Sequence, residues 1–499
     1  MKMFDILIKN ATILDGTGAP AYTGDIGIRE GKIAKLGTDL EGGARVIDAK
    51  GLTVTPGWID SHSHSDAAIF TYPDQQEKVE QGITFSVTGQ CGGSAAPKMV
   101  NGELLTAEAF YDKARNTPQG SGCIMLTGHG NLRRLVMGTE NRPATAEELA
   151  QMEKLLEQSM DAGSRGLSLG LIYVPCCYAE TEELVALAKV VARRGGILAA
   201  HIRGESDQVE DSVAEFIHVA EQAGCRGVIS HFKATGKANW GKVKKTLAMV
   251  DEANARGADI YVDVYPYCAS HTSLQSTFYP KQFHGDGTVP AAQRLRDPEL
   301  RQTLLAWNRN RWGLDFNWVM LTKCQKRPEL RGLTIAEAAA RLNMDGYELI
   351  FDLICEGAAT GCFFSISEDD IRTVLKHPRA MVCTDSGVAA GKDTYHPRLR
   401  GSFPRVLGRF VRQDQVTSLP EMIRKITSLP AMVYGLPTKG RIAEGMDADL
   451  CIFDAETILD GSDFTHCSDA NLGLAYVLIA GKVVLEDNVY NGTRAASVI

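Results

Sequence analysis

The sequence predicts an α/β protein: a TIM-like (β/α)8 barrel with a small β-sandwich domain formed by the N- and C-terminal segments. Three observations predict it. Short apolar strands alternate with amphipathic helices through the middle of the chain. Side chains of metal-binding type follow five of those strands. Period-two β patterns outside that region occur only near the two ends.

At the N-terminal end, apolar alternation bounded by Gly and Asp turns marks strands at 6–13, 25–28, 32–34 and 46–48. A matching pattern returns only at 448–453 and 476–484. Neither half is long enough to bury much surface alone. The two are therefore expected to pair, with 1–55 and 436–499 as one discontinuous domain and 56–435 as the catalytic barrel between them.

Within the middle, strands are expected at 57–62, 83–88, 124–127, 166–169, 197–200, 227–230, 259–263 and 380–383. Helical patterns such as 146–161, 181–194, 208–223 and 242–255 lie between most of them. Eight such strands fit a closed parallel barrel better than an open sheet. The stretch 281–368 is too long for an ordinary βα loop and carries its own helices, so it is expected to be an insertion or lid.

Composition narrows the function classes. The chain has 499 residues, 44% hydrophobic and 23% charged, enough apolar surface for a large core. A net charge of −8 without a run of Lys or Arg argues against a nucleic-acid partner. No apolar stretch approaches the roughly 20 residues that span a bilayer. The first residues lack the apolar segment and cleavage site of a signal peptide. Twelve scattered cysteines then suggest the cytoplasm, without structural disulfides.

The residues after the strands carry the chemistry. His62-Ser63-His64 follows the first, Gln90-Cys91-Gly92-Gly93 the second, His201 the fifth, His231 the sixth, and Thr384-Asp385-Ser386-Gly387 the eighth. Barrel active sites form where the C-terminal strand ends converge. A single His or Cys at a strand end is usually packing, and His-X-His alone is weak evidence. Six donors arriving at one mouth make a metal centre the better reading. Imidazole and thiolate suit zinc. Zinc lowers the pKa of water to about 7 and supplies hydroxide, and Asp385 is placed to shuttle the proton to a leaving nitrogen. His129 and His271 are weaker candidates for the mouth.

These residues resemble the amidohydrolase superfamily, and within it the N-acyl-D-amino-acid deacylases (D-aminoacylases), over nearly the whole chain. The likeness rests on Pro56-Gly57-Trp58-Ile59-Asp60-Ser61-His62-Ser63-His64, the Cys91-Gly92-Gly93 turn and Asp263-Val264-Tyr265-Pro266-Tyr267. It extends to His396-Pro397-Arg398 and Glu444-Gly445-Met446-Asp447-Ala448-Asp449. The resemblance implies a tight Zn2+ on Cys91, His201 and His231, with a cysteine in place of a carboxylated lysine. It implies a second, weaker site of His62, His64 and Asp385. It also implies that Lys233, Tyr265 and Arg398 hold the substrate's carboxylate or scissile carbonyl, with Tyr267 an alternative to Tyr265. The expected partner is a small N-acyl amino acid, and an oligomer is compatible with the sequence. The sequence departs from the family pattern at Cys176-Cys177 and at Cys268-Ala269-Ser270-His271-Thr272, both on the expected substrate side.

A cyclic amidohydrolase opening a hydantoin, imide or dihydropyrimidine ring is the alternative. Its relatives usually carry the bridging lysine, and the fourth strand ends Leu167-Ser168-Leu169-Gly170. A barrel that has lost catalysis is disfavoured, because such scaffolds lose ligands and six are present here.

Overall fold

The computed structural model describes residues 3–389, 396–467 and 469–499. Eight strands form the barrel. They are β1 (Trp58–Asp60), β2 (Ile83–Thr88), β3 (Gly122–Met125, resuming at Thr127–Gly128), β4 (Gly166–Gly170), β5 (Ile197–His201), β6 (Arg226–Ile229), β7 (Ile260–Val264) and β8 (Ala380–Val382). All ladders between neighbours are parallel. The ring closes where β8 returns to β1: Asp385 N donates to His62 O at 2.9 Å, and Ser63 bridges Ser386 in parallel.

Period two decides what faces the centre. Ile59, Phe85, Val87, Ile124, Leu126, Ile197, Ala199, Val228, Tyr261 and Met381 pack one cluster inside the barrel. The alternate residues Leu198, Ala200, Ile229 and Val262 pack outward with the helices. The inward register runs from Ala199 on to His201, from Tyr261 on to Asp263, and from Met381 toward Asp385. The polar residues are therefore the last members of rows that begin as core. One surrounding helix, Ala146–Ala162, opens on a capping box formed by Thr145 and Glu148.

The two chain ends share one sheet of nine strands. Thr53–Pro56 pairs antiparallel with Leu450–Phe453, so Pro56 lies opposite Leu450 and Thr53 opposite Phe453. Ile6, Ile8, Ile13, Ile26, Ile28, Leu450, Ile452 and Leu478 form its core.

The long excursion before β8 has a separate core and sheet. Strands Ser270–Ser273, Ala359–Phe363 and Val319–Cys324 pair antiparallel beneath helices Pro298–Trp312, Ile335–Leu342 and Gly346–Glu356. Phe278, Leu304, Val319, Leu321, Tyr347 and Phe351 fill the space between them. It opens at Ser270, earlier than residue 281. Ser270-His271-Thr272-Ser273 is polar and half-buried throughout, so no alternation announced a strand. Among the described residues no helix is long and apolar enough to cross a membrane.

Candidate metal centre

Five barrel strands bring six donors to one point. Cys91 Sγ lies 3.4 Å from His62 Nε2, 3.5 Å from His231 Nε2 and 3.8 Å from His201 Nδ1. Asp385 Oδ1 lies 3.4 Å from His62 Nε2 and 3.2 Å from His64 Nε2. Two groups of donor atoms result, Cys91–His201–His231 and His62–His64–Cys91–Asp385, each within 4.8 Å of one another. Sulfur and imidazole donors crowded this closely fit zinc, and the shared thiolate suits two adjacent ions.

The backbone is bent to achieve this. Cys91, His231 and Asp385 have φ of 53°, 37° and 47°, a region that costs a non-glycine residue about 1–3 kcal/mol. Hydrogen bonds hold each bend: Ser168 Oγ accepts from Gly92 N, Asp263 Oδ1 from His231 N at 2.5 Å, and His62 O from Asp385 N. Gly170 is needed beside them, because a Cβ there would sit 2.0 Å from Cys91 O. That packing leaves no space for a lysine at the end of β4.

Electrostatics fit ligand duty. Burial holds the His62 and His201 imidazoles neutral, His201 down at about 3, so both keep a lone pair free across the working range. Burial alone would raise the Asp385 carboxyl. Arg398 above all, then His231, His64 and His62, outweigh it and hold Asp385 well below the usual carboxylate range. Burial, then Asp385, pushes the Cys91 thiol up, so a cation must drive its proton off.

The amidohydrolase family profile matches residues 45–485. The chain belongs to the amidohydrolase family. Within that family it groups with the D-aminoacylases. It is 35% identical to an N-acyl-D-glutamate deacylase of Alcaligenes xylosoxydans xylosoxydans, over 96% of this chain and 93% of that one. It is 31% identical to a D-aminoacylase of the same organism, over 99% and 97%. A crystal structure of N-acyl-D-glutamate deacylase from Bordetella bronchiseptica, with zinc and a phosphonate mimic of the tetrahedral intermediate, superposes with TM-score 0.87. Identity there is 32%, covering 100% of this chain and 99% of that one.

In this amidohydrolase the donors open onto a cavity of about 2010 Å³, which Lys233, Tyr265 and Arg398 also line. Arg398 Nη1 donates to Asp385 Oδ2 at 2.7 Å, and its guanidinium lies 4.9 Å from the Tyr265 ring centre. Tyr265 Oη is buried with no hydrogen-bond partner among the described residues, whereas Tyr267 Oη reaches Asp460 and Pro397 O. Lys233 Nζ contacts Glu205 Oε1 at 2.6 Å and His231 Nδ1 at 2.7 Å. His271 lines the cavity and meets Thr322 Oγ1 at 2.9 Å. His129 is instead buried against Glu183, 2.7 Å away. Cys177 lines the cavity, and Cys176 lies behind it near Gly92 and Gly130.

Four polar side chains around the donors were given no role by the sequence. Glu205 stands 3.0 Å from His231 Nδ1, orienting that ring, and 3.7 Å from His201 Nε2, beyond hydrogen-bond reach. Asp263 Oδ2, buried, lies 3.9 Å from His62 Nδ1. Lys78 and Asp60, both fully buried, tie β1 to β8: Lys78 Nζ donates to Asp60 Oδ2 at 2.7 Å and Thr384 Oγ1 at 2.8 Å. Asp60 and Asp263 lie within the motifs quoted above, and Glu205 left a trace in the His-Ile-Arg-Gly-Glu spacing, which returns a carboxylate four residues after a candidate ligand.

Proposed function

We propose that this protein is a zinc-dependent deacylase that hydrolyses N-acyl-D-amino acids to a D-amino acid and a carboxylate. The observation that carries the reading is the convergence of three imidazoles on Cys91 Sγ within 3.8 Å, with Asp385 beside them. Cys91, His201 and His231 would hold a tight zinc, and His62, His64 and Asp385 a weaker second one. When bound, zinc supplies Lewis acidity to the scissile carbonyl and acidifies water.

The chain's own groups do the rest. Asp385, kept ionised by Arg398, accepts a proton from the attacking water on Oδ1 and returns it to the nitrogen as the C–N bond breaks. Tyr265 Oη, buried and unpartnered, is free to donate to a substrate oxygen. Arg398 and Lys233 supply positive charge for the α-carboxylate, Arg398 through a fork that matches its geometry. Glu205 holds Lys233 and the His231 ring in place. The D configuration is supported by the deacylase relatives, whose substrates are D. All twelve cysteines are free, which fits a reducing compartment such as the cytoplasm.

The test is amine release by zinc-loaded protein from paired N-acetyl-D- and N-acetyl-L-amino acids, with a hydantoin and a dihydropyrimidine alongside. Release from D substrates is expected. Release from L substrates only, or ring opening alone, overturns the reading.

A further inference from the structure

Cys91 stands on a loop that cannot hold itself in place. Between Thr88 and Lys98 the chain forms no helix or strand, and Gly89, Cys91 and Gly92 all take positive φ, 72°, 53° and 76°. Several of the loop's hydrogen bonds run instead to one short segment, Gly128–Asn131. Gly130 N donates to Gly92 O at 2.9 Å, and Gly128 N to Ser94 Oγ at 3.0 Å. Asn131 Nδ2 donates to Ser94 O at 2.7 Å and to Pro97 O at 2.8 Å. The approach is so close that a Cβ at Gly128 or Gly130 would meet Gly92 O at 2.6 or 2.8 Å. The Cys176 thiol wedges into the same junction: a Cβ at Gly92 would lie 2.8 Å from Cys176 Sγ, and one at Gly130 3.0 Å.

This segment is the start of the helix His129–Met137, whose first residue follows Gly128 without a side-chain cap. Buried charge fixes it from the other side. Glu183, in the first turn of the helix Thr181–Arg193, takes two partners that stand one helical turn apart. Its Oε1 lies 2.7 Å from His129 Nε2, and its Oε2 accepts from Arg133 Nη1 at 2.5 Å. Arg133 Nη2 continues to Arg142 O at 2.9 Å. His129 and Arg133 are fully buried and Glu183 nearly so. Burial opposes charge on His129, but Cys176 and then Glu183 outweigh it and carry the imidazole up to about 9. None of the three lines the cavity, and the hydrolytic steps give them no task. Two directional bonds to one carboxylate fix the rotation of the helix start, which apolar packing alone leaves looser.

We propose that Glu183 is a positioning residue for the metal centre. Through His129 and Arg133 it sets the helix start from which the Cys91 loop hangs, and so the place of Cys91 Sγ opposite His201 and His231. This placement rests on the reading of Cys91 as a zinc ligand.

The experiment reads the thiolate itself. Cobalt in place of zinc gives a thiolate-to-metal charge-transfer band, which Cys91→Ala should abolish. Glu183→Ala cuts the charged anchor, and Asn131→Ala cuts the loop's bonds to it. Each should weaken or shift the band while circular dichroism shows the fold retained. Zinc affinity in chelator competition should fall roughly tenfold, the lower end of what residues supporting a ligand contribute. On an N-acetyl-D-amino acid, kcat should fall with KM little changed. Leu156→Ala, which empties a buried site in the helix Ala146–Ala162, should lower the melting temperature and leave band and affinity alone. Glu183→Gln takes the place of Glu183→Ala should the latter not fold. A wild-type band and zinc affinity in either the Glu183 or the Asn131 variant overturns the proposal, leaving the charges as a bolt between two helices. An equal change of the band in Leu156→Ala overturns it too. A band that survives Cys91→Ala removes the ligand reading, and this placement with it.

Discussion

Replacing Lys78 with methionine strips a buried carboxylate of its only cation among the described residues while keeping the volume nearly constant. Asp60 is fully buried and accepts four hydrogen bonds. Oδ1 takes Thr384 N at 2.9 Å and His62 N at 3.3 Å, and Oδ2 takes Thr384 Oγ1 at 2.6 Å and Lys78 Nζ at 2.7 Å. The pair therefore fixes the end of β1, which carries His62 and His64, against the end of β8, which carries Asp385. Breaking a buried ion pair from one side costs about 3–5 kcal/mol, because the remaining charge loses its compensation. Lys78→Met should lose about that much in denaturant unfolding of the zinc-loaded protein. The double variant Lys78→Met/Asp60→Asn should lose less than the single one, since no charge is then stranded. A positioning role adds a kinetic signature: kcat falls while KM for an N-acetyl-D-amino acid changes little, and the double variant recovers stability without recovering kcat. A loss below about 1 kcal/mol with normal kcat would refute the reasoning, as would a double variant less stable than Lys78→Met.

The remaining predictions concern the donors themselves. Asp385→Asn should retain the tight zinc and lower kcat by about 10²–10⁴-fold, the usual worth of general acid–base catalysis; near-normal turnover counts against Asp385 as the proton carrier. Cys91→Ala should lose the tight zinc on dialysis, and unchanged zinc by elemental analysis would show that other ligands hold it. Glu205→Gln should weaken zinc affinity roughly 10–100-fold in chelator competition, as loss of a ring-orienting carboxylate does; unaltered affinity would leave Glu205 as a partner of Lys233 only. The Cys91 thiol is raised by burial and must ionise to bind, whereas His201, held down at about 3, has no proton to lose. Zinc affinity should therefore fall as pH drops, with proton release on binding measured by titration calorimetry in buffers of different ionisation enthalpy. An uptake of protons would contradict the sign.

What the sequence made legible follows from where each signal is written. Candidate ligands at strand ends are readable, because a short apolar run identifies the strand and the next residue marks the mouth; His201 after Ile197-Leu198-Ala199-Ala200 is the plainest case. Groups that reach the centre from the side carry no such mark. Lys78 sits in a four-residue helix, Gln76–Val79, whose Gln-Glu-Lys composition reads as a solvated surface, yet it is fully buried against Asp60, 18 residues away in the chain, and Thr384, 306 away, which only folding brings together. Asp263 occupies a row of inward-facing positions and looks like the end of a strand. The strand Ser270–Ser273 is invisible for the opposite reason: it is held by pairing with Ala359–Phe363, not by its own polarity pattern. Chemistry that depends on one residue per strand can be read from a single chain. Chemistry that depends on which loops meet cannot, and substrate choice in this barrel is of the second kind.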